Sequence, residues 1–207
     1  GKHLFIRCSF ETNKVNTSTA YYYPSVAAVV YQAGGQTMFR DCLFRGNKSP
    51  AWGDKKYADN QGSASVLAVN GSLESTFVNC TIEGNSASAT ATSGSAATIL
   101  GNTARIALVN CIVRNNTIGT GAAYSGEFGF GGGTSGSTFA LINSVVQSQS
   151  SDKIFMAPSA FRPCVVSSVI EGADLDALAP TNNSYMINAS NAEAKFEKKY
   201  RIIPPTP

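Results

Sequence analysis

The chain has 207 residues and a net charge of +3, with only 14% charged residues, against roughly 25% in an average soluble domain. A hydrophobic share of 43% provides for a core and argues against a wholly disordered chain. Small polar residues stand where charge is missing (24 Ser, 16 Thr, 16 Asn, 19 Gly), a composition that suits turn-rich β-structure and disfavours helical bundles.

In chain order, one segment returns. Residues 4–13 (LFIRCSFETN), 38–47 (MFRDCLFRGN), 76–85 (TFVNCTIEGN) and 107–116 (ALVNCIVRNN) align without gaps. A fifth copy, 140–149 (ALINSVVQSQ), puts Ser144 and Gln149 at the Cys and Asn positions, and a sixth starts near Val165. In the first four copies Asn follows Cys five residues later: Cys8 and Asn13, Cys42 and Asn47, Cys80 and Asn85, Cys111 and Asn116. A second motif precedes the later copies as 25–31 (SVAAVVY), 62–68 (GSASVLA) and 94–100 (GSAATIL), with turn signals after it at Gly34-Gly35, Asn70-Gly71 and Gly101-Asn102. The copies are unevenly spaced, so variable insertions interrupt a constant unit of three short strands. These insertions, 14–25, 48–62, 86–94 and 117–125, each follow the Asn, which places them at one corner.

Units of strands at a period of about 30 to 40 residues, with no helical periodicity, predict an all-β parallel β-helix of about six coils of three short strands, stacked ~4.8 Å apart. Phe77 and Cys80 are both apolar yet three apart, which a strand period of two forbids. A left-handed bend at Asn79 resolves this, and Asp41, Asn110 and Asn143 hold equivalent places. Arg7 stands there in the first copy, so the first unit is expected to be irregular. The four cysteines then form a buried column of small side chains, and Asn13, Asn47, Asn85 and Asn116 form a ladder of amides. The β-helix is expected over residues 1–191. Residues 192–207 read as a terminal strand or short helix followed by a Pro-rich linker, as in part of a longer chain.

The pairing of G-S-A with F-x-N-C-x-h-x-x-N resembles the right-handed β-helix repeats of bacterial surface proteins, namely the polymorphic outer-membrane proteins and choice-of-anchor domains. It resembles the pectate-lyase-like superfamily more distantly. The resemblance covers about residues 4–172 and implies a right-handed helix and an extracellular, cell-surface setting. It implies no single activity, because the fold hosts lyases, hydrolases, adhesins and scaffolds.

No CxxC pair occurs and His3 is the only histidine, so no metal site and no cofactor are expected. Adjacent basic pairs occur only at Lys55-Lys56 and Lys198-Lys199, so no nucleic-acid partner is expected. No apolar run reaches the ~20 residues of a membrane helix, and direct membrane insertion is not expected. Glu83, Glu171, Arg45 and Arg114 share the face of the Cys motif, where alternating charge on a solvated sheet is the simplest reading. The densest polar cluster, Asp54, Lys55, Lys56, Tyr57 and Asp59, lies on one insertion, whereas a catalytic centre draws on several coils. Aromatics concentrate in the insertions: Tyr21, Tyr22, Tyr23, Trp52, Tyr57 and Tyr124. Rings beside Asn, Asp and Lys suit sugar faces, and Lys55 and Lys56 favour an acidic glycan. The sequence therefore points to a non-catalytic surface module for adhesion, contact with an extracellular glycan or another protein, or structural spacing. The alternatives are a lyase or glycoside hydrolase acting on an acidic polysaccharide, and a module that assembles end to end.

Overall fold

A computed structural model describes residues 1–15, 25–49, 62–88, 95–119, 124–131, 137–147, 154–156, 162–171, 185–187 and 189. The first repeat contributes β1 (Lys2–Ile6), β2 (Ser9–Glu11), β3 (Ser25–Ala27) and β4 (Val30–Gln32). The second comprises β5 (Gln36–Arg40), β6 (Leu43–Arg45), β7 (Lys48–Ser49) and β8 (Gly62–Asn70). The third comprises β9 (Glu74–Val78), β10 (Thr81–Glu83), β11 (Ser86–Ala87) and β12 (Ser95–Asn102). The fourth comprises β13 (Arg105–Val109), β14 (Ile112–Arg114), β15 (Thr117–Ile118) and β16 (Tyr124–Gly131). The fifth holds β17 (Thr138–Ile142), β18 (Val145–Gln147) and β19 (Phe155–Met156); the sixth holds β20 (Arg162–Val166) and β21 (Val169–Glu171), and β22 (Tyr185–Ile187) follows. Residues 192–207 lie outside the described residues.

Equivalent strands of successive repeats pair with one another. The first sheet runs β1-β5-β9-β13-β17-β20-β22 and the second β2-β6-β10-β14-β18-β21. A narrow third sheet joins β7, β11 and β15, and the fourth runs β3-β8-β12-β16-β19, with β4 also on β8. The pairings are parallel and hold the repeats in register: Phe39 lies beside Phe77, Phe77 beside Leu108, Leu108 beside Leu141, and Leu141 beside Val165. All-parallel sheets built from sequentially distant strands are compatible with a parallel β-helix. The unit has one more strand than the sequence suggests. Two residues after each Asn, Lys48–Ser49, Ser86–Ala87 and Thr117–Ile118, form the third sheet, and Lys14 bridges Lys48 in the first repeat. Such short pieces carry too little pattern to be read from sequence.

The core lies between the sheets. Phe5, Phe39 and Phe77 stack along the first sheet at centroid separations of 5.1 and 4.8 Å, close to the strand spacing. Phe10 and Phe44 stack at 4.9 Å on the second sheet, and Phe39 meets Phe44 edge-on at 5.2 Å. Leu108 and Leu141 continue the first column and Ile82, Val113 and Ile170 the second, all fully buried. The fourth sheet is buried on both faces: Val66, Ile99 and Phe128 join the main core, while Ala64, Ala68, Ala97 and Leu100 form a separate apolar cluster.

Between the first and second sheets the chain turns through one left-handed residue. Asp41, Asn79, Asn110 and Asn143 have φ between 46° and 55°. Arg7 (φ 54°) and Ser167 (φ 48°) adopt the same bend, so the first repeat is regular here, contrary to expectation. The cause is the shared backbone bonding: Arg7 N–H donates to Arg40 O at 2.9 Å, as Asp41 N–H does to Val78 O at 2.9 Å. Gly101-Asn102, read as a turn, continues β12, and the left-handed residue is Thr103 (φ 56°).

Candidate functional site

Four columns of polar or sulfur-bearing side chains run along the repeats. The amide ladder sits where the second sheet passes into the third. Asn13 Nδ2 donates to Asn47 Oδ1 at 2.8 Å, Asn47 Nδ2 to Asn85 Oδ1 at 2.9 Å, and Asn85 Nδ2 to Asn116 Oδ1 at 3.0 Å. Each Oδ1 also accepts the backbone N–H of the preceding Asn, at 2.9 to 3.0 Å. The second Nδ2 hydrogen reaches a backbone carbonyl one repeat back: Asn47 to Phe10 O, Asn85 to Phe44 O and Asn116 to Ile82 O. Asn47 and Asn85 are 0% exposed, so an amide that both donates and accepts twice meets the demand for satisfied buried polar groups. Residue 149, the expected continuation, lies outside the described residues. The ladder passes instead to Glu127, whose Oε1 accepts from Asn116 Nδ2 at 2.9 Å.

The second column contains the thiols. Cys42, Cys80 and Cys111 are buried and unpaired by disulfides, and Cys8 is half-buried in the first repeat. Each of the three buried thiols donates to the carbonyl two residues before it, at 3.2 to 3.3 Å. Ser144 and Ser168 take the same place and make the same bond at 2.8 Å. Burial pushes the Cys42 thiol above its ordinary pKa; contact with Cys111 and then burial push up Cys80. Cys164 is apart from this column, on β20 beside Ala140.

The bend residues form a third column that sequence reasoning treated only as a turn. Asn79 Nδ2 donates to Asp41 Oδ1 at 3.0 Å, Asn110 Nδ2 to Asn79 Oδ1 at 3.1 Å, and Asn143 Nδ2 to Asn110 Oδ1 at 2.8 Å. The fourth column runs along the second sheet as Glu11, Arg45, Glu83 and Arg114. Arg45 Nε lies 2.8 Å from Glu83 Oε1, and Arg114 Nε lies 3.0 Å from Glu83 Oε2. Burial alone would raise the Glu83 carboxyl, but Arg114 and Arg45 outweigh it and hold the pKa below its ordinary value. Arg114 is only 8% exposed, so this pair is not the solvated charge pattern the sequence suggests. Glu171 extends the same position, with a buried Oε2 that has no hydrogen-bond partner.

The insertions begin and end on paired strands. Those at 50–61, 89–94 and 120–123 leave the third sheet at β7, β11 and β15 and enter the fourth at β8, β12 and β16. Their attachment points therefore step along one corner at the strand spacing. They are shorter than the ranges read from sequence, because their first residues belong to the third sheet. Tyr21, Tyr22, Tyr23, Trp52, Lys55, Lys56, Tyr57 and Asp59 lie outside the described residues. Tyr124 opens β16, its backbone paired with Ser95, and its side chain lies outside the description.

The structure adds a site that the motifs did not indicate. On the outer face of the first sheet, Thr76, Ala107, Ala140 and Cys164 lie side by side on four strands. These small side chains leave a groove of about 460 Å³, rimmed by Glu74, Arg105 and Thr138. Arg105 Nη1 lies 3.1 Å from Glu74 Oε1, and Gln36 Nε2 donates to Glu74 Oε2 at 2.6 Å. In the first two repeats the floor position carries Leu4 and Met38, 58% and 41% exposed. The only sequence trace of the groove is this fall in size from Leu and Met to Thr, Ala, Ala and Cys. Among the described residues no group of three or more His, Cys, Asp or Glu side chains is placed to hold a metal ion. No family model matches the chain, and no curated protein sequence matches it.

Proposed function

We propose that the chain is a non-catalytic module of an extracellular, cell-surface protein: a right-handed parallel β-helix of about six coils, related to the surface β-helices its repeats resemble. It acts as a stiff rod that presents the corner insertions to an extracellular glycan or protein, or that spaces other domains. One observation carries this reading. The repeated Asn side chains are used up in bonding one repeat to the next, so the conserved part of the unit serves stacking. Variation is left to insertions attached in series along one corner.

Aromatic rings of the insertions, Trp52 foremost, supply sugar-stacking surfaces, and Lys55 and Lys56 favour an acidic chain whose binding weakens as salt rises. Glycan-array binding with wild type and Trp52→Ala tests this. Binding lost in the variant, with no turnover of uronate polymers, supports the module. The enzyme reading draws on the groove and its Arg105–Glu74 pair. Turnover of an acidic polysaccharide that disappears in Arg105→Ala replaces the binding reading with it. The end-to-end reading draws on the exposed first repeat, and concentration-dependent filament growth would favour it.

A further inference from the structure

Among the described residues no other carboxylate is as deeply buried as Glu127, at 1% exposure. It sits between Gly126 and the core residue Phe128 on β16, and its one hydrogen bond named above ends the amide ladder. In the register that pairs Ala97 with Gly126 and Ile99 with Phe128, Thr98 lies opposite Glu127. One strand further, Ser65 lies in the bulge of β8 that faces Thr98. Both residues are 0% exposed, and neither hydroxyl makes a well-formed hydrogen bond, although Thr98 lies near enough to the Glu127 carboxyl to act on it. A ladder of satisfied amides thus ends on an acceptor, beside two hydroxyl groups without well-formed hydrogen bonds.

We propose that Glu127 is a proton-operated latch on the fourth sheet. In the neutral form its carbonyl oxygen accepts from Asn116 while its O–H turns to the Thr98 hydroxyl, so the ladder closes. In the ionised form the carboxylate can only accept, from Asn116 and the Thr98 hydroxyl, and it places a charge in the core, which loosens the pairing of β16 with β12 and β19 and lets this part of the rod open. No charged group nearby offsets the charge. The strands β12, β15 and β19 pack on β16, as does β17 through Phe139, and none of the four carries a charged or titratable side chain. Arg114, two residues before Asn116, is engaged with Glu83. The pKa of Glu127 accordingly stands at about 7: burial raises it, and Thr98 and Asn116 only partly offset that. A raised carboxylate pKa means that the folded state holds a proton the unfolded state has released. Stability is greatest below about 4.5 and declines as pH rises through about 7.

The test is amide hydrogen exchange of residues 124–131 in the full chain, corrected for intrinsic rates, at about pH 5.5 and 8.5. Opening of wild-type β16 should rise on the order of 30-fold between the two conditions, because the loss ends once pH passes the folded pKa. In Glu127→Gln the amide accepts from Asn116 and donates onward at every pH, so opening should stay constant. A wild-type strand equally protected at both pH values, or a Gln variant with the wild-type rise, overturns the latch. Carbon-detected NMR titration of the wild-type Glu127 carboxyl is independent of whether the variant folds. A midpoint near 7 that tracks the exchange supports the proposal, and a midpoint near 4.5 overturns it.

Discussion

Removing the middle rung of the ladder should be costly in proportion to the bonds it makes. Asn85→Ala deletes an amide that accepts two hydrogen bonds from Asn47 and donates to Phe44 O and Asn116 Oδ1. The Asn47 N–H and Nδ2 donors then remain buried without partners, since Ala offers no acceptor and the site is 0% exposed. At ~1–3 kcal/mol for each of the two orphaned buried donors, the loss should be about 2–6 kcal/mol. Urea unfolding of wild type and variant measures it, with Asn70→Ala, at an exposed strand end, as the control. Asn85→Asp refines the test. The carboxylate keeps the acceptor toward Asn47 but faces Phe44 O and Asn116 Oδ1 with a second acceptor, so the damage at neutral pH should ease as acid protonates it. If Asn85→Ala costs no more than Asn70→Ala, the amides are not a structural ladder.

The other columns give their own predictions. Thiol labelling of the native protein should be slow at Cys42, Cys80 and Cys111, faster at the half-buried Cys8, and should accelerate with denaturant; rapid labelling of all three buried thiols would contradict their placement. Cys111→Ser should cost less than ~1.5 kcal/mol in urea unfolding, because Ser144 already makes the same carbonyl bond at 2.8 Å. Glu83→Gln leaves buried Arg114 without its carboxylate and should lose ~1–3 kcal/mol at pH 7. Because the folded pKa of Glu83 lies below its ordinary value of 4.5, the difference from wild type should narrow as pH falls below 4.5, measured as unfolding midpoints across pH. Asn79→Ala should cost ~1–2 kcal/mol from the left-handed backbone alone, and Asn79→Gly less, by the same unfolding measurement.

What could be read from the sequence depended on whether the physics repeats at the period of the unit. The Cys–Asn interval is visible because each member meets its own counterpart one repeat away, so every copy carries the same requirement. The bend at Asn79 is visible because Asn and Asp tolerate the left-handed region. Arg7 and Ser167 adopt it without that preference, held by pairing with the neighbouring repeat, and give no local sign. The third sheet escaped notice because two-residue strands have no period. Glu127 was hidden for a different reason. It meets Asn116 across 11 residues, whereas the rungs of the ladder are 31 to 38 apart. The groove on the first sheet depends on four small side chains becoming neighbours, which the spacing of the motifs does not weigh.

Cross-strand NMR contacts test the central claim, parallel stacking of equivalent strands, most directly. The register places Ile82 between Phe44 and Val113, and Phe77 between Phe39 and Leu108. Stacking predicts backbone contacts between those residues in the same strand direction, repeated along both sheets. Contacts of opposite direction between sequence-adjacent strands, such as Gln36–Arg40 with Leu43–Arg45, would contradict it.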